Sequence, residues 1–213
     1  MIITRQKSFD SILSKTRGYK VFLIGCSECA TLSNTGGEKE VLEMKKNLEE
    51  NGAEVTGYVI LEPACHLLNA KRLLRLHREG VDEADRILVL ACGNGVQTVS
   101  DALPDKTVIP GLDTLFLGEI IHLGEFEKRC IQCGECILDE FNNLCPLARC
   151  PKQMLNGPCG GSQDGRCEVN KDMECVWART YRVMIENNRV EDLKRIIPPK
   201  DWSRTLEYKV VTR

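Results

Sequence analysis

The run Lys20-Val21-Phe22-Leu23-Ile24-Gly25 decides the fold class of this chain. It is short, almost wholly apolar and closed by glycine, which is the pattern of a strand buried on both faces. Further strands are predicted at residues 55–61, 86–91 and 107–109. Helical periodicity follows the first three strands, at residues 38–51, 67–79 and 96–103. Strands that alternate with helices predict a parallel sheet between helices, a small α/β domain of three layers.

The alternating pattern ends near residue 128. Just before this point, residues 114–127 contain Gly118 and Gly124 and predict a hairpin. From Cys130 to Cys175 the hydrophobic periodicity is lost, and eight cysteines stand among prolines and glycines. A segment of this kind cannot bury enough apolar surface to fold alone, so bound metal has to supply the folding free energy.

We therefore predict two domains. The first is an α/β domain over residues 1–127, and the second is a loop-rich, cysteine-rich metal-binding segment over residues 128–213. Within the second, the apolar positions after Cys175 predict a carboxyl-terminal helix to about Asn187. The tail from Pro198 onward is expected to be extended and available to lie against a partner.

Composition excludes several classes of function. The chain has 213 residues, with 29 Lys and Arg against 31 Asp and Glu and a formal net charge of −2, so no basic excess favours a nucleic-acid partner. No apolar run approaches the roughly 18 to 20 residues that cross a bilayer. The amino-terminal residues Met1 to Lys7 do not form a secretory signal. These features predict a cytoplasmic protein without a membrane partner.

Twelve cysteines are the central feature of this composition. Disulfides are uncommon in a reducing compartment, so twelve thiols indicate metal ligation. The chain has only three histidines, which argues against the mixed cysteine and histidine ligand sets of many zinc fingers.

Four of these cysteines follow three neighbouring strands. Cys26 and Cys29 come directly after the first predicted strand, Cys65 after the second and Cys92 after the third. Because the carboxyl ends of parallel strands share one edge of a sheet, we expect the four thiolates to converge there. Four converging thiolates predict a [4Fe–4S] site.

Glycines surround these cysteines and would let backbone N–H groups approach the cluster sulfurs. The predicted cofactor-binding glycines are Gly25, Gly36, Gly37, Gly93 and Gly95.

Two alternative functions remain for the region around Cys26 and Cys29. Cys26-x-x-Cys29 is also the spacing of a thioredoxin-type dithiol pair, which would make the chain a thiol oxidoreductase. The glycines also suggest a nucleotide site, although no G-x-G-x-x-G follows the first strand.

The remaining eight cysteines can serve two sites of four thiolates. Their strongest local signal is Cys130-x-x-Cys133-x-x-Cys136, a spacing that lets successive thiolates bind one cubane, as in bacterial ferredoxins. The other five are Cys145, Cys150, Cys159, Cys167 and Cys175. Spacing does not assign them to sites, so the sequence predicts two or three [4Fe–4S] clusters in all. One carboxyl-terminal site of four cysteines is also suited to zinc, and a zinc-stabilised scaffold is a further alternative function.

Other polar residues give weaker indications of function. His66 follows Cys65 and has ligand chemistry, but a histidine in a loop is more often solvated. Lys71, Arg72, Arg75 and Arg78 form a basic helical stretch, which is more often a solvated face than a docking site. No catalytic set of serine, histidine and aspartate or of paired carboxylates stands out, so no catalytic residue is predicted.

Several of these motifs together resemble the small, cysteine-rich subunit of the two-subunit methylenetetrahydrofolate reductases of acetogenic bacteria, and the related methylenetetrahydrofolate reductase C-terminal domain. The motifs, which spread over most of the chain, are Gly25-Cys26-Ser27-Glu28-Cys29, Gly36-Gly37-Glu38-Lys39-Glu40-Val41, Ala91-Cys92-Gly93-Asn94-Gly95-Val96-Gln97-Thr98, Cys130-Ile131-Gln132-Cys133-Gly134-Glu135-Cys136, Asn156-Gly157-Pro158-Cys159-Gly160-Gly161 and Cys167-Glu168-Val169.

The resemblance implies a partner, a (β/α)8 barrel that carries FMN or FAD, binds the folate and performs the reduction. This chain is too short to contain that barrel, which typically needs about 250 residues. The implied task of the chain is to relay electrons from ferredoxin or another donor protein to the flavin of the partner, which reduces methylene- to methyl-tetrahydrofolate. The hydride chemistry then belongs to the flavin, and the chain supplies positions and potentials.

Overall fold

The computed structural model describes residues 1–206 and 209–210. The described chain divides into two compact units. The first contains Met1–Phe116 and Ile120–Phe126, and the second contains Leu117–Glu119 and the chain from Glu127 onward.

Strands and helices alternate through the first part of the chain. In order, they are β1 (Ile2–Gln6), α1 (Phe9–Thr16), β2 (Lys20–Cys26), α2 (Cys29–Leu32), α3 (Glu38–Glu50), β3 (Glu54–Leu61), α4 (Leu67–Leu76), α5 (Arg78–Glu83), β4 (Arg86–Leu90), α6 (Gly93–Ala102), β5 (Thr107–Pro110), β6 (Leu112–His122) and β7 (Glu125–Cys130). The later elements are α7 (Pro146–Arg149), α8 (Val176–Glu186) and 3-10 turns at Leu138–Phe141, Val190–Lys194 and Trp202–Leu206.

A parallel four-stranded sheet forms the centre of the first unit, in the order β3-β2-β4-β5. Its central strand β2 is buried from Val21 to Cys26, because such a strand has neighbours on both edges and on both faces. A second sheet has the order β1-β6-β7. The prediction of an α/β fold with a parallel sheet, followed by a cysteine-rich region of loops, is confirmed.

Helix α3 shows how the sequence sets these elements. The carboxylate of Glu40 accepts a hydrogen bond from the backbone N–H of Gly37 at 2.9 Å, which satisfies a donor at the start of the helix. Val41, Met44 and Leu48 recur at helical spacing and are buried in the core. The opposite face carries lysine–glutamate pairs four residues apart.

Several predicted boundaries are wrong in detail. The helix predicted over 67–79 is divided into α4 and α5 at His77, and α6 starts at Gly93 instead of residue 96. The tail is not wholly extended, since Trp202–Leu206 forms a 3-10 turn. Residues 207, 208 and 211–213 of the predicted tail lie outside the described residues.

The second unit has little regular structure. Its core is formed by Phe141, Leu144, Cys175, Val176 and Trp177. The ring of Trp177 meets Phe141 edge-on at a centroid distance of 5.3 Å, and its Nε1 donates to the Met154 carbonyl at 3.0 Å. In the described part of the chain, every helix is too short or too polar to span a bilayer.

Candidate metal centres

All twelve cysteines are free thiols, and we divide them into three groups by their interactions and their place in the chain, with Cys136 assigned through its sequence run. We call these group A (Cys26, Cys29, Cys65 and Cys92), group B (Cys130, Cys133, Cys136 and Cys145) and group C (Cys150, Cys159, Cys167 and Cys175).

Group A lies at the carboxyl ends of β2, β3 and β4. Cys26 is the last residue of β2 and pairs with Leu61, the last residue of β3, and Cys65 lies in the turn that follows. On the other side, Gly25 pairs with Leu90 of β4, two residues before Cys92. The register of the sheet therefore brings these strand ends to one edge.

Cys65 interacts electrostatically with the other three thiols of group A. Burial raises the pKa of the Cys65 thiol, and the nearby Cys92, Cys26 and Cys29 raise this pKa further. A thiolate next to other thiolates is disfavoured by their like charge. A metal that binds all four would remove this repulsion.

Backbone groups also approach the sulfurs of group A. The N–H of Ile2 donates to Cys29 Sγ at 3.4 Å. Cys92 is the N-cap of α6, a helix of 10 residues. His66 Nδ1 accepts from the N–H of Asn69 at 3.2 Å, so this histidine caps α4.

The predicted glycines have packing roles in the structure. A Cβ on Gly36 would overlap the Leu90 carbonyl oxygen, and one on Gly25 would lie 2.7 Å from the Gly36 oxygen. At Gly37 it would lie 2.7 Å from Thr31 Oγ1, and at Gly95 2.8 Å from the Ala91 side chain. Gly93 is more open, with Thr114 Oγ1 at 3.4 Å. These glycines allow close contact within the protein, and their approach to cluster sulfurs stays a prediction.

Group B combines the predicted Cys130, Cys133 and Cys136 run with a cysteine that spacing did not assign. Burial raises the pKa of the Cys145 thiol, the backbone N–H groups of Ala148 and Leu147 lower it, and nearby Cys133 and Cys130 raise it. Cys145 therefore lies beside the run. Cys145 is the N-cap of α7. The sequence signal for this helix start was Pro146, because proline is favoured at the first helical position.

The loop of group B turns through residues with positive φ. Gln132 has a φ of 56° and Gly134 has a φ of 78°, and the N–H of Gln132 donates to Cys130 Sγ at 3.3 Å. Lys200, from the described part of the tail, donates to the Glu135 carboxylate at 3.2 Å. This part of the tail packs against the Cys133–Cys136 loop.

Group C surrounds a cavity of about 20 Å³ that is lined by all four of its cysteines. Cys150 is the C-cap of α7 and Cys175 is the N-cap of α8. The loop between them is held by backbone bonds from Cys167 to Met173, at 2.9 Å, and from Cys175 to Gly165, at 2.7 Å. Trp177 and Met173 also line the cavity, so its wall is partly apolar.

A carboxylate also belongs to group C. Glu168 accepts from the Lys152 ammonium at 2.5 Å and from the Cys159 thiol at 3.3 Å. The pKa of Glu168 is lowered, chiefly by Lys152 and then by Cys159.

The chemistry of these groups fits thiolate-bound metal. Each group supplies four thiols, the ligand set of a [4Fe–4S] cluster and also of a four-cysteine zinc site. Among residues 1–206 and 209–210, no three Cys, His, Asp or Glu side chains are already arranged to hold a single metal ion.

The eight cysteines of groups B and C lie within one recognised family segment. Residues 109–203 match the family described as methylene-tetrahydrofolate reductase C terminal. The match leaves group A and the strands β1 to β4 outside it, whereas the motifs of the sequence resemblance spread over most of the chain. Comparisons with curated proteins and with solved structures found no match.

Proposed function

We propose that this chain is the iron–sulfur electron-transfer subunit of a methylenetetrahydrofolate reductase. In this proposal, groups A, B and C hold up to three [4Fe–4S] clusters. The chain relays electrons, from ferredoxin or another donor protein, to the flavin of a partner catalytic subunit. That partner is a (β/α)8 barrel with FMN or FAD, and it reduces methylene- to methyl-tetrahydrofolate.

The observation that carries this proposal is that Cys65 interacts with three other thiols, Cys145 interacts with Cys130 and Cys133, and four further cysteines line one cavity. When bound, a [4Fe–4S] cluster accepts and releases one electron at a time. The reduction of methylene- to methyl-tetrahydrofolate takes two electrons and two protons, so the chain has to deliver two electrons, one at a time, in each turnover. The family match over residues 109–203 supports the assignment to folate reduction.

The residues of the chain hold and tune these sites. Thiolates supply the ligands, and the backbone N–H groups of Ile2 and Gln132 donate to sulfur, an interaction that tunes cluster potentials. Trp177 and Met173 line the cavity of group C beside its cysteines.

Groups B and C are adjacent along the backbone. Helix α7 joins Cys145 of group B to Cys150 of group C. At about 1.5 Å of rise per residue, the two ends of this link are roughly 8 Å apart. Such a spacing suits rapid transfer of electrons between the two sites.

Anaerobic mixing with a catalytic subunit tests the proposed function. The full chain, loaded with iron and reduced by dithionite, is freed of excess reductant and mixed with the oxidised flavin subunit. We expect the flavin absorbance to bleach, with two electrons taken up per flavin. A chain that is reduced by dithionite but leaves the flavin oxidised would contradict the proposal, and the iron-free chain is the control.

A further inference from the structure

Helix α4 carries an unbalanced positive charge. It holds Lys71, Arg72 and Arg75 and contains no aspartate or glutamate. In the described residues none of these three cations has a carboxylate partner, and Arg72 instead donates to the Asn69 side chain at 3.0 Å. The lysines of α3, by contrast, have glutamates four residues onward. The positive charge of α4 is therefore not neutralised by ion pairs within the described residues, and it is available to attract an acidic partner.

The same helix exposes large apolar side chains. Leu68 is 75% exposed and Leu76 is 71% exposed, while Ala70 and Leu74 face the core. Exposed leucines among cations match the anatomy of a protein interface, with apolar contact area and a charged surround. The phosphates of a nucleic acid would not make apolar contacts with the exposed leucines, so a nucleic acid fits this surface less well than a protein does.

The turn that presents Cys65 is fixed to the start of α4. The N–H of His66 donates to the Pro63 carbonyl at 3.2 Å, and the Asn69 side chain donates to the Glu62 carbonyl. Cys65 is itself exposed and lies two residues before the helix. A protein bound on α4 would thus lie beside an exposed thiol of group A.

We propose that the exposed face of α4, formed by Leu68, Arg72, Arg75 and Leu76, docks an acidic one-electron carrier protein that delivers electrons at group A. This inference rests on the proposed function. In the step it serves, one electron leaves the reduced iron–sulfur centre of the carrier and is gained by the cluster at group A. No bond is formed or broken, and no proton moves.

Charge reversal on α4 tests the docking face. The probe is an acidic bacterial-type ferredoxin, and its binding to the immobilised full chain is measured as a function of salt. The double variant Arg72→Glu and Arg75→Glu should weaken binding by about tenfold at low ionic strength, because two attractions become repulsions. The difference should shrink as salt screens exposed charges.

A matched control makes the same change in net charge near the amino ends of the parallel strands, away from group A. Lys15→Glu and Arg17→Glu alter exposed cations at the end of α1, where Arg86, the first residue of β4, donates to the Lys15 carbonyl. This variant should bind the ferredoxin within about twofold of the unmodified chain, since only nearby charges act strongly in salt.

Different failures separate the two proposals. Dithionite reduction of the loaded chain does not need docking, so a chain that dithionite cannot reduce contradicts the proposed function. If dithionite reduces every variant, but the α4 and α1 variants bind ferredoxin equally, the docking face is wrong. It is also wrong if α4 reversal abolishes binding to anionic lipid vesicles or to an oligonucleotide and leaves ferredoxin binding unchanged.

Discussion

Single cysteines differ in their exposure, also within one group. Cys26, Cys167 and Cys175 are buried, whereas Cys65, Cys136 and Cys159 are exposed. Groups A and B each have a backbone N–H donor at a sulfur, and group C has the Glu168 carboxylate beside Cys159. Hydrogen bonds and charges near sulfur set the potential of a bound cluster, so clusters in the three groups should not share one potential. Graded potentials are what a chain of electron carriers needs.

One substitution in each group tests the division of the ligands. Cys65→Ser, Cys145→Ser and Cys167→Ser should each lower the iron content by about four atoms per chain, because each removes a ligand from a different cluster. Iron and acid-labile sulfide are measured on anaerobically purified protein. The control is Ser27→Ala, which lies between Cys26 and Cys29 and changes no thiol.

The double variant Cys145→Ser with Cys167→Ser sharpens this test. Its loss should be about eight irons, the sum of two independent sites. A loss equal to that of either single variant would mean that Cys145 and Cys167 serve the same cluster, contrary to groups B and C.

Gly36 supports the sheet edge at group A by allowing close packing against β4. The variant Gly36→Ala would place a Cβ against the Leu90 carbonyl oxygen, where backbone must move, so we expect a loss of about 3 kcal/mol or more in unfolding free energy. Gly93→Ala, with its nearest neighbour at 3.4 Å, should change stability by less than about 0.5 kcal/mol. Urea unfolding followed by circular dichroism measures both, and equal effects would contradict the packing role.

At the scale of elements, the regular part of the fold was predictable because apolar runs mark buried strands. The four predicted strands correspond to β2 to β5 with small differences at their ends. Strand β1 and helix α1 were missed, since β1 is short and ends in polar residues. For α1 the signal was present, because Phe9, Ile12, Leu13 and Thr16 recur at helical spacing after Ser8.

The grouping of the eight carboxyl-terminal cysteines could not be predicted from spacing. Loops without periodicity carry no register, and the path between Cys136 and Cys145 depends on turns with positive φ at Asn142 and Asn143. The placement of group A at one edge of the sheet was predictable because parallel strands fix which residues share an edge. The roles of the glycines near group A could not be predicted, because a glycine required for close packing and a glycine required for contact with a ligand look the same in a sequence.

The two tryptophans of the chain test how α8 holds group C. Trp177→Ala removes a ring that packs on Phe141 and lines the cavity of group C, so the loaded protein should lose about 3 to 5 kcal/mol in the unfolding of the second unit. Trp202→Ala, at a site that is 45% exposed, should cost less than about 1 kcal/mol.

Trp177→Phe separates the parts of this effect. It keeps most of the apolar volume and loses the hydrogen bond to the Met154 carbonyl, so it should cost about 1 to 2 kcal/mol. Denaturant unfolding under nitrogen gives the three values. Equal losses for the two alanine variants would show that Trp177 has no special role.

For the whole molecule, the two units should depend differently on metal. The first has an extensive core of strands and helices, whereas the second has a small core and few regular elements from residue 131 to 175. Metal binding supplies folding free energy where apolar burial is insufficient. The first unit should therefore persist without metal, and the second should not.

Removal of metal tests this asymmetry. After treatment with an iron and zinc chelator, protease cleavage should appear first between residues 131 and 175, while β2 to β5 stay protected from hydrogen exchange. Mass spectrometry locates both signals. Cleavage that begins in the parallel sheet, or a second unit that resists protease without metal, would contradict the expected dependence.

The presence of reducible iron is the central claim, and one measurement addresses it most directly. Full-length protein purified without oxygen is analysed for iron and zinc and examined by electron paramagnetic resonance before and after dithionite. We predict about eight to twelve irons per chain and signals of reduced [4Fe–4S] clusters that appear on reduction. A colourless protein that contains only zinc and gives no signal after dithionite would contradict the account.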